Sequence, residues 1–149
     1  RGGGRGPAQQ PSRAENASAE QLKDMGNEAF GHGQMAAAIR HYTAALDLRG
    51  SDRGPSEDLE ATLLGNRSAA ELQHGQADRA LADAEAACEL RPDWSRPWQR
   101  KAAVLDAQGS LAEAAECARK ALSREGLTTQ QASQMERLLA KAAAASAQE

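Results

Sequence analysis

The spacing of small residues constrains this chain more than any other feature. Gly75 recurs at Gly109, Ala80 at Ala114 and Ala87 at Ala121, each a step of 34. Gly33 and Gly75, Ala38 and Ala80, and Ala45 and Ala87 are each separated by 42, eight more. Three positions that agree across three copies define an internal repeat carrying one insertion. A period of this size is the signature of a stacked-repeat architecture. The insertion falls near GSDRGPSEDLE, residues 50–60, where turn and breaker residues cluster. Part of it is expected to lengthen the start of the helix that follows.

Each copy reads as helix, glycine turn, helix. The apolar spacing predicts helices over 19–32, 35–48, 57–73, 77–90, 95–108, 111–124 and 129–146. Ser18 with Gln21, and Thr128 with Gln131, have the spacing of capping boxes. Pro92 and Asp93 break the chain between repeats, and Ser95 is expected to cap the next helix, with Pro97 tolerated in its first turn. Met135, Leu138, Leu139 and Ala142 form an i, i+3, i+4, i+7 stripe, so residues 128–146 read as a capping helix over the last repeat. Residues 1–17 are Gly, Pro, Gln, Ser and Arg with little to bury and are expected to form a disordered linker.

Composition narrows the function. The net charge of −3 argues against a general affinity for nucleic acid or an anionic membrane, and RGGGRG carries too few cations to hold RNA. No apolar run is long enough to span a bilayer, and the first residues lack the apolar stretch of a secretory leader. Cys88 and Cys117 have no CxxC spacing and read as small buried residues in a reducing compartment. The histidines, His32, His41 and His74, have no metal-ligand spacing, so neither metal nor cofactor is expected. Acidic residues are scattered over solvated helix faces with no nucleophile and base pair, which argues against an enzyme.

Paired helices with this period and small residues at the crossings resemble the tetratricopeptide repeat. The resemblance covers residues 19 to about 126 and rests on Leu22, Gly26, Ala38, Tyr42 and Ala45, on Ser68, Ala80, Ala87 and Pro92, and on Trp98, Ala102, Ala114 and Ala121. It implies an all-α right-handed superhelix of three repeats, about 19–52, 61–94 and 95–126, closed by the capping helix. Ala84 and Ala118 depart from the pattern, since a larger residue is usual at both places.

The first helices of the three repeats sharpen the resemblance. LKDMGNEAF offers Lys23 and Asn27 on one helix face, LLGNRSAAEL offers Asn66, and SRPWQRKAAVL offers Arg96 and Arg100. These resemble the carboxylate clamp of tetratricopeptide co-chaperones, which bind the C-terminal Glu-Glu-Val-Asp tails of the Hsp70 and Hsp90 heat-shock chaperones. The subfamily carries Lys, Asn, Asn, Lys, Arg at these places; this chain has Arg96 where Lys is usual. A C-terminal Asp presents two carboxylates close together. Cations and amides can hold both through charge-assisted hydrogen bonds worth about 1.5–3 kcal/mol each. A micromolar affinity, about −8 kcal/mol, is the expected total.

The resemblance further implies an apolar pocket for the tail's Val, for which Phe30, Ala69 and Leu72 are the candidates, and Phe30 is equally suited to the core. Gln73 stands where a further Lys is frequent, which implies weaker recognition of upstream Glu. Arg67 reads as structural or solvated. The implied protein is a cytoplasmic adaptor, with the nucleus as a second compartment. The alternatives are a scaffold for an internal segment of another protein, or the targeting domain of a larger enzyme.

Overall fold

A computed structural model describes residues 16–148. Seven α-helices and no strand occur among them: α1 Ala19–Gly31, α2 Met35–Asp47, α3 Glu57–Gln73, α4 Ala77–Leu90, α5 Ser95–Ala107, α6 Leu111–Leu122 and α7 Thr129–Ser146. Each begins where the sequence predicts and ends within two residues of it. The linker expected over 1–17 lies outside the described residues except for its last two. Of these, Ala17 is 2% exposed and packs on the core, so the packed chain starts earlier than its composition suggests.

Local chemistry sets the ends. Both capping boxes form. Ser18 Oγ accepts from the Gln21 N–H at 3.2 Å while Gln21 Oε1 accepts from the Ser18 N–H at 2.8 Å, and Thr128 and Gln131 repeat the exchange. Gly75 and Gly109 turn the chain with φ of 81° and 82°, the left-handed region that a side chain resists. Ser95 behaves differently from its expected role. It is the first residue of α5, not its cap, and its hydroxyl donates to the Glu125 carbonyl at 2.9 Å, tying α5 to the α6–α7 connector.

Packing follows the repeat. α1 lies against α2, α3 against α4 and α5 against α6, with α2 on α3, α4 on α5 and α7 on α6 joining one pair to the next. The first helices also touch along their own row, α1 to α3, α3 to α5 and α5 to α7. This row is one continuous layer. The crossings are close because they are alanine: Ala38, Ala45, Ala80, Ala87, Ala102, Ala114 and Ala121 are all fully covered. Ala84 and Ala118 are fully covered too, so neighbouring side chains close the space that a larger residue fills elsewhere. In repeat one Gly26 has the same purpose, because a methyl placed there would sit 2.7 Å from Tyr42 Cδ1. Tyr42, Leu46 and Leu63 fill the core between the first two repeats, and Leu105, Met135 and Leu138 fill the core beneath α7.

The insertion resolves into two parts. The α2–α3 connector, residues 48–56, is five residues longer than the α4–α5 connector, residues 91–94. α3 has 17 residues against 13 in α5, one extra turn at its start, while α2 is one residue shorter than α4. The long connector folds back on the first helix: the Ala19 N–H donates to the Arg53 carbonyl at 2.8 Å.

A buried polar network joins three helices. Arg67 on α3 donates through Nε and Nη2 to both Asp83 oxygens on α4, at 2.6 and 2.8 Å, and through Nη1 to Thr43 Oγ1 on α2 at 3.2 Å. Glu71, 5% exposed and one turn further along α3, lies 3.9 Å from Arg67 Nε, and its Oε1 is buried without a hydrogen-bond partner. Burial, and then the adjacent Asp83 carboxylate, push the Glu71 carboxyl up to about 8, against the opposing pull of Arg67 and Arg79. A raised carboxyl stabilises the fold fully below its unfolded value of 4.5, and that stability is lost as pH rises to about 8. Thermal melts of wild type and Glu71→Gln at pH 5 and pH 8 test this. The wild type is expected to lose stability relative to the variant at the higher pH, and parallel behaviour would contradict it.

Both cysteines are buried and unbridged, with Cys88 pushed up to about 12 by burial. Among the described residues no helix is long and apolar enough to cross a membrane, and no cluster of His, Cys, Asp and Glu could hold a metal ion.

Candidate functional site

The layer of first helices carries two adjoining cavities. The first, about 170 Å³, is lined by Asn27 and Phe30 from α1, Tyr42 from α2, Asn66 and Ala69 from α3 and Arg100 from α5. The second, about 140 Å³, is lined by Ala61, Thr62, Gly65 and Asn66 from α3 and by Trp94, Arg96, Pro97 and Arg100 at the start of α5. Asn66 and Arg100 belong to both. Residues from three repeats, spread over more than seventy positions of the sequence, therefore meet in one place.

The amides are oriented before any ligand arrives. Asn27 Oδ1 accepts from Tyr42 Oη at 2.6 Å and from Asn66 Nδ2 at 3.2 Å. Both lone pairs of that oxygen are thus engaged, which leaves the Asn27 amide N–H groups and one Asn66 N–H as donors. Tyr42 is suited to the task, since burial pushes its phenol up to about 12 despite the nearby Arg100, so it stays a donor. In the sequence Tyr42 reads only as a repeat-core residue. The signal available is that a buried phenol needs a hydrogen-bond partner, but chain position does not say which one.

The cations differ in their surroundings. Arg100 is half-buried with no carboxylate or hydrogen-bond partner among the described residues. Burial first, and then Arg96, lower its hold on its proton. Two guanidinium groups around shared amides, with no protein carboxylate between them, form a receptor for negative charge. Lys23 lines neither cavity. It lies on α1 one turn before Asn27 and makes a 2.7 Å ion pair with Glu20, whose side chain is well exposed and free to swing away. A ligand carboxylate would have to exchange with that pair, an exposed contact worth little.

Among the apolar candidates, Phe30 and Ala69 both line the first cavity, and Phe30 also packs on the core, so it serves in both places. Leu72 is half-buried and lines neither cavity. It sits six positions beyond Asn66, about 120° round the helix from it. The remaining residues of the second cavity, apart from Asn66, Arg96 and Arg100, carry no sequence signal that marks them for a site. Arg67, next to Asn66 in the chain, turns away from both cavities into the Asp83 and Thr43 network.

No protein-family model matches the chain. The heat shock protein sti1 homolog of Schizosaccharomyces pombe is 37% identical over 93 residues, 62% of this chain and 14% of that protein. The Hsp70-Hsp90 organizing protein of Triticum aestivum is 36% identical over 113 residues, 73% of this chain and 18% of that protein. The chain thus spans less than a fifth of the length of either relative. The structure of the TPR2B domain of yeast Sti1, in a complex with pHsp70, superposes with a TM-score of 0.71 at 26% identity, covering 84% of this chain and 95% of that one. Three helix pairs, a capping helix and a polar hollow on the first-helix layer define a tetratricopeptide repeat domain. Within that class, the chain is similar to domains of the sti1 homolog, the Hsp70-Hsp90 organizing protein and yeast Sti1.

Proposed function

We propose that this domain captures the acidic C-terminal Glu-Glu-Val-Asp tail of Hsp70 or Hsp90 heat-shock chaperones and acts as a non-catalytic cytoplasmic adaptor. The observation that carries this reading is Arg100, a half-buried cation, unpaired among the described residues, beside two pre-oriented amides at the junction of two cavities. In this reading Asn27, Asn66, Arg96 and Arg100 hold the two carboxylates of the terminal Asp, and Lys23 joins them by leaving Glu20. Phe30 and Ala69 receive the Val. The lining supplies donors, cations and apolar surface; its one acid, the Tyr42 phenol, is held protonated, which suits binding and not catalysis.

Calorimetry with the free-acid and amidated forms of a Glu-Glu-Val-Asp peptide tests the proposal. Amidation removes one carboxylate and is expected to weaken binding about tenfold or more, as the loss of one charge-assisted contact implies. Added salt should weaken the acid form further by screening. Equal affinities for acid and amide would favour a scaffold that binds an internal segment. Titrating the Hsp70 and Hsp90 tails side by side ranks the two chaperones.

A further inference from the structure

The second cavity offers more than polar groups. Ala61, Gly65, Trp94 and Pro97 give it apolar walls beside the cations Arg96 and Arg100. Gly65 is the informative residue. A glycine inside a helix costs up to about 1 kcal/mol relative to alanine. At Gly26 that cost has a packing reason, because Tyr42 occupies the space. At Gly65 it has none: an added methyl would meet only Arg100 Cγ, at an ordinary 3.7 Å. What the missing methyl leaves open is the cavity.

The opposite wall is Trp94, with Arg91 beside it. Asp58, in the extra first turn of α3, pairs with Arg91 at 3.3 Å, and the Arg91 guanidinium lies 4.8 Å from the centre of the Trp94 ring. The Arg91 guanidinium thus stands beside the aromatic wall, with an exposed pair to the added turn. Asn66 and Arg100 stand between the two cavities, so a main-chain carboxylate held there has its neighbouring residue's side chain on one side and its own on the other.

We propose that the second cavity is a subsite for the side chain of the ligand's last residue, and that it accepts a bulky apolar one, leucine- to phenylalanine-sized. The domain then binds acidic tails ending in such a residue as well as tails ending in Asp. This rests on the tail-binding reading, with the terminal carboxylate at Asn66 and Arg100.

The test uses three free-acid peptides differing only at the end, Glu-Glu-Val-Asp, Glu-Glu-Val-Ala and Glu-Glu-Val-Phe, titrated into wild type, Gly65→Ala and Trp94→Ala. Burying an aromatic side chain in the cavity is expected to make the Phe tail about tenfold tighter than the Ala tail. Both variants should erase most of that ratio and leave the Ala tail unchanged. Gly65→Ala is also expected to raise thermal stability, which keeps folding from confusing the result. If the Asp tail binds and the Phe tail is no tighter than the Ala tail, the subsite is overturned while tail capture stands. A uniform loss for all three peptides in Gly65→Ala would also overturn it, because the methyl would then be acting through Arg100. Binding of none of the three by wild type would remove the tail-binding reading itself.

Discussion

Arg100→Ala is expected to weaken binding of a Glu-Glu-Val-Asp peptide roughly a hundredfold, the loss of two charge-assisted hydrogen bonds at about 1.5 kcal/mol each. The fold should not suffer. Arg100 makes no ion pair or hydrogen bond with the described residues, and burial together with Arg96 already disfavours its charge. Its removal takes an uncompensated cation out of a half-buried place, so the melting temperature should hold or rise. Isothermal titration and thermal melts on one preparation check both halves. A variant that binds normally would show that the shared hollow is not the tail site, and one that melts early would show that Arg100 is a structural residue. Arg96, more exposed and set in the second cavity only, is expected to matter less for the same peptide.

Arg67→Met should do the reverse. Arg67 clasps Asp83 with two hydrogen bonds and also reaches Thr43, and its charge, joined at Glu71 by Arg79, offsets the burial of these acids. Breaking a buried pair by removing one partner costs about 3–5 kcal/mol, because the other charge is left stranded. Protonation of Glu71 limits the loss, so about 3 kcal/mol is expected, or close to 10 °C in melting temperature for a domain of this size. Tail affinity of the folded molecule should be unchanged, since Arg67 lines neither cavity. A melting temperature close to that of wild type, or a loss of affinity without a loss of stability, would contradict this assignment.

Asn66 and Arg67 thus divide two tasks between adjacent residues. Neighbours on a helix point about 100° apart, so one looks into the hollow and the other toward Thr43 on α2 and Asp83 on α4. In the sequence they are two polar residues in an apolar helix, and it is the resemblance to the carboxylate clamp that marks Asn66 as a site residue. No partner for Arg67 is visible there, because Thr43 and Asp83 lie 24 and 16 positions away on other helices. The same limit hides Tyr42, whose link to Asn27 spans 15 positions, and the place of Trp94 in the second cavity. By local rules Ser95 is a cap, and a tertiary contact with Glu125 takes its hydroxyl instead.

What the sequence alone determined is everything that repeats or acts locally. Helix bounds, turns, capping boxes and the repeat register follow from contacts within one helical turn and from a pattern copied three times. What only the tertiary structure decided is everything that occurs once: which cation stays unpaired, which glycine faces a cavity, and which carboxyl is forced to keep its proton. Those properties belong to the space between helices, where burial and neighbouring charge act over distances in three dimensions that chain position does not encode.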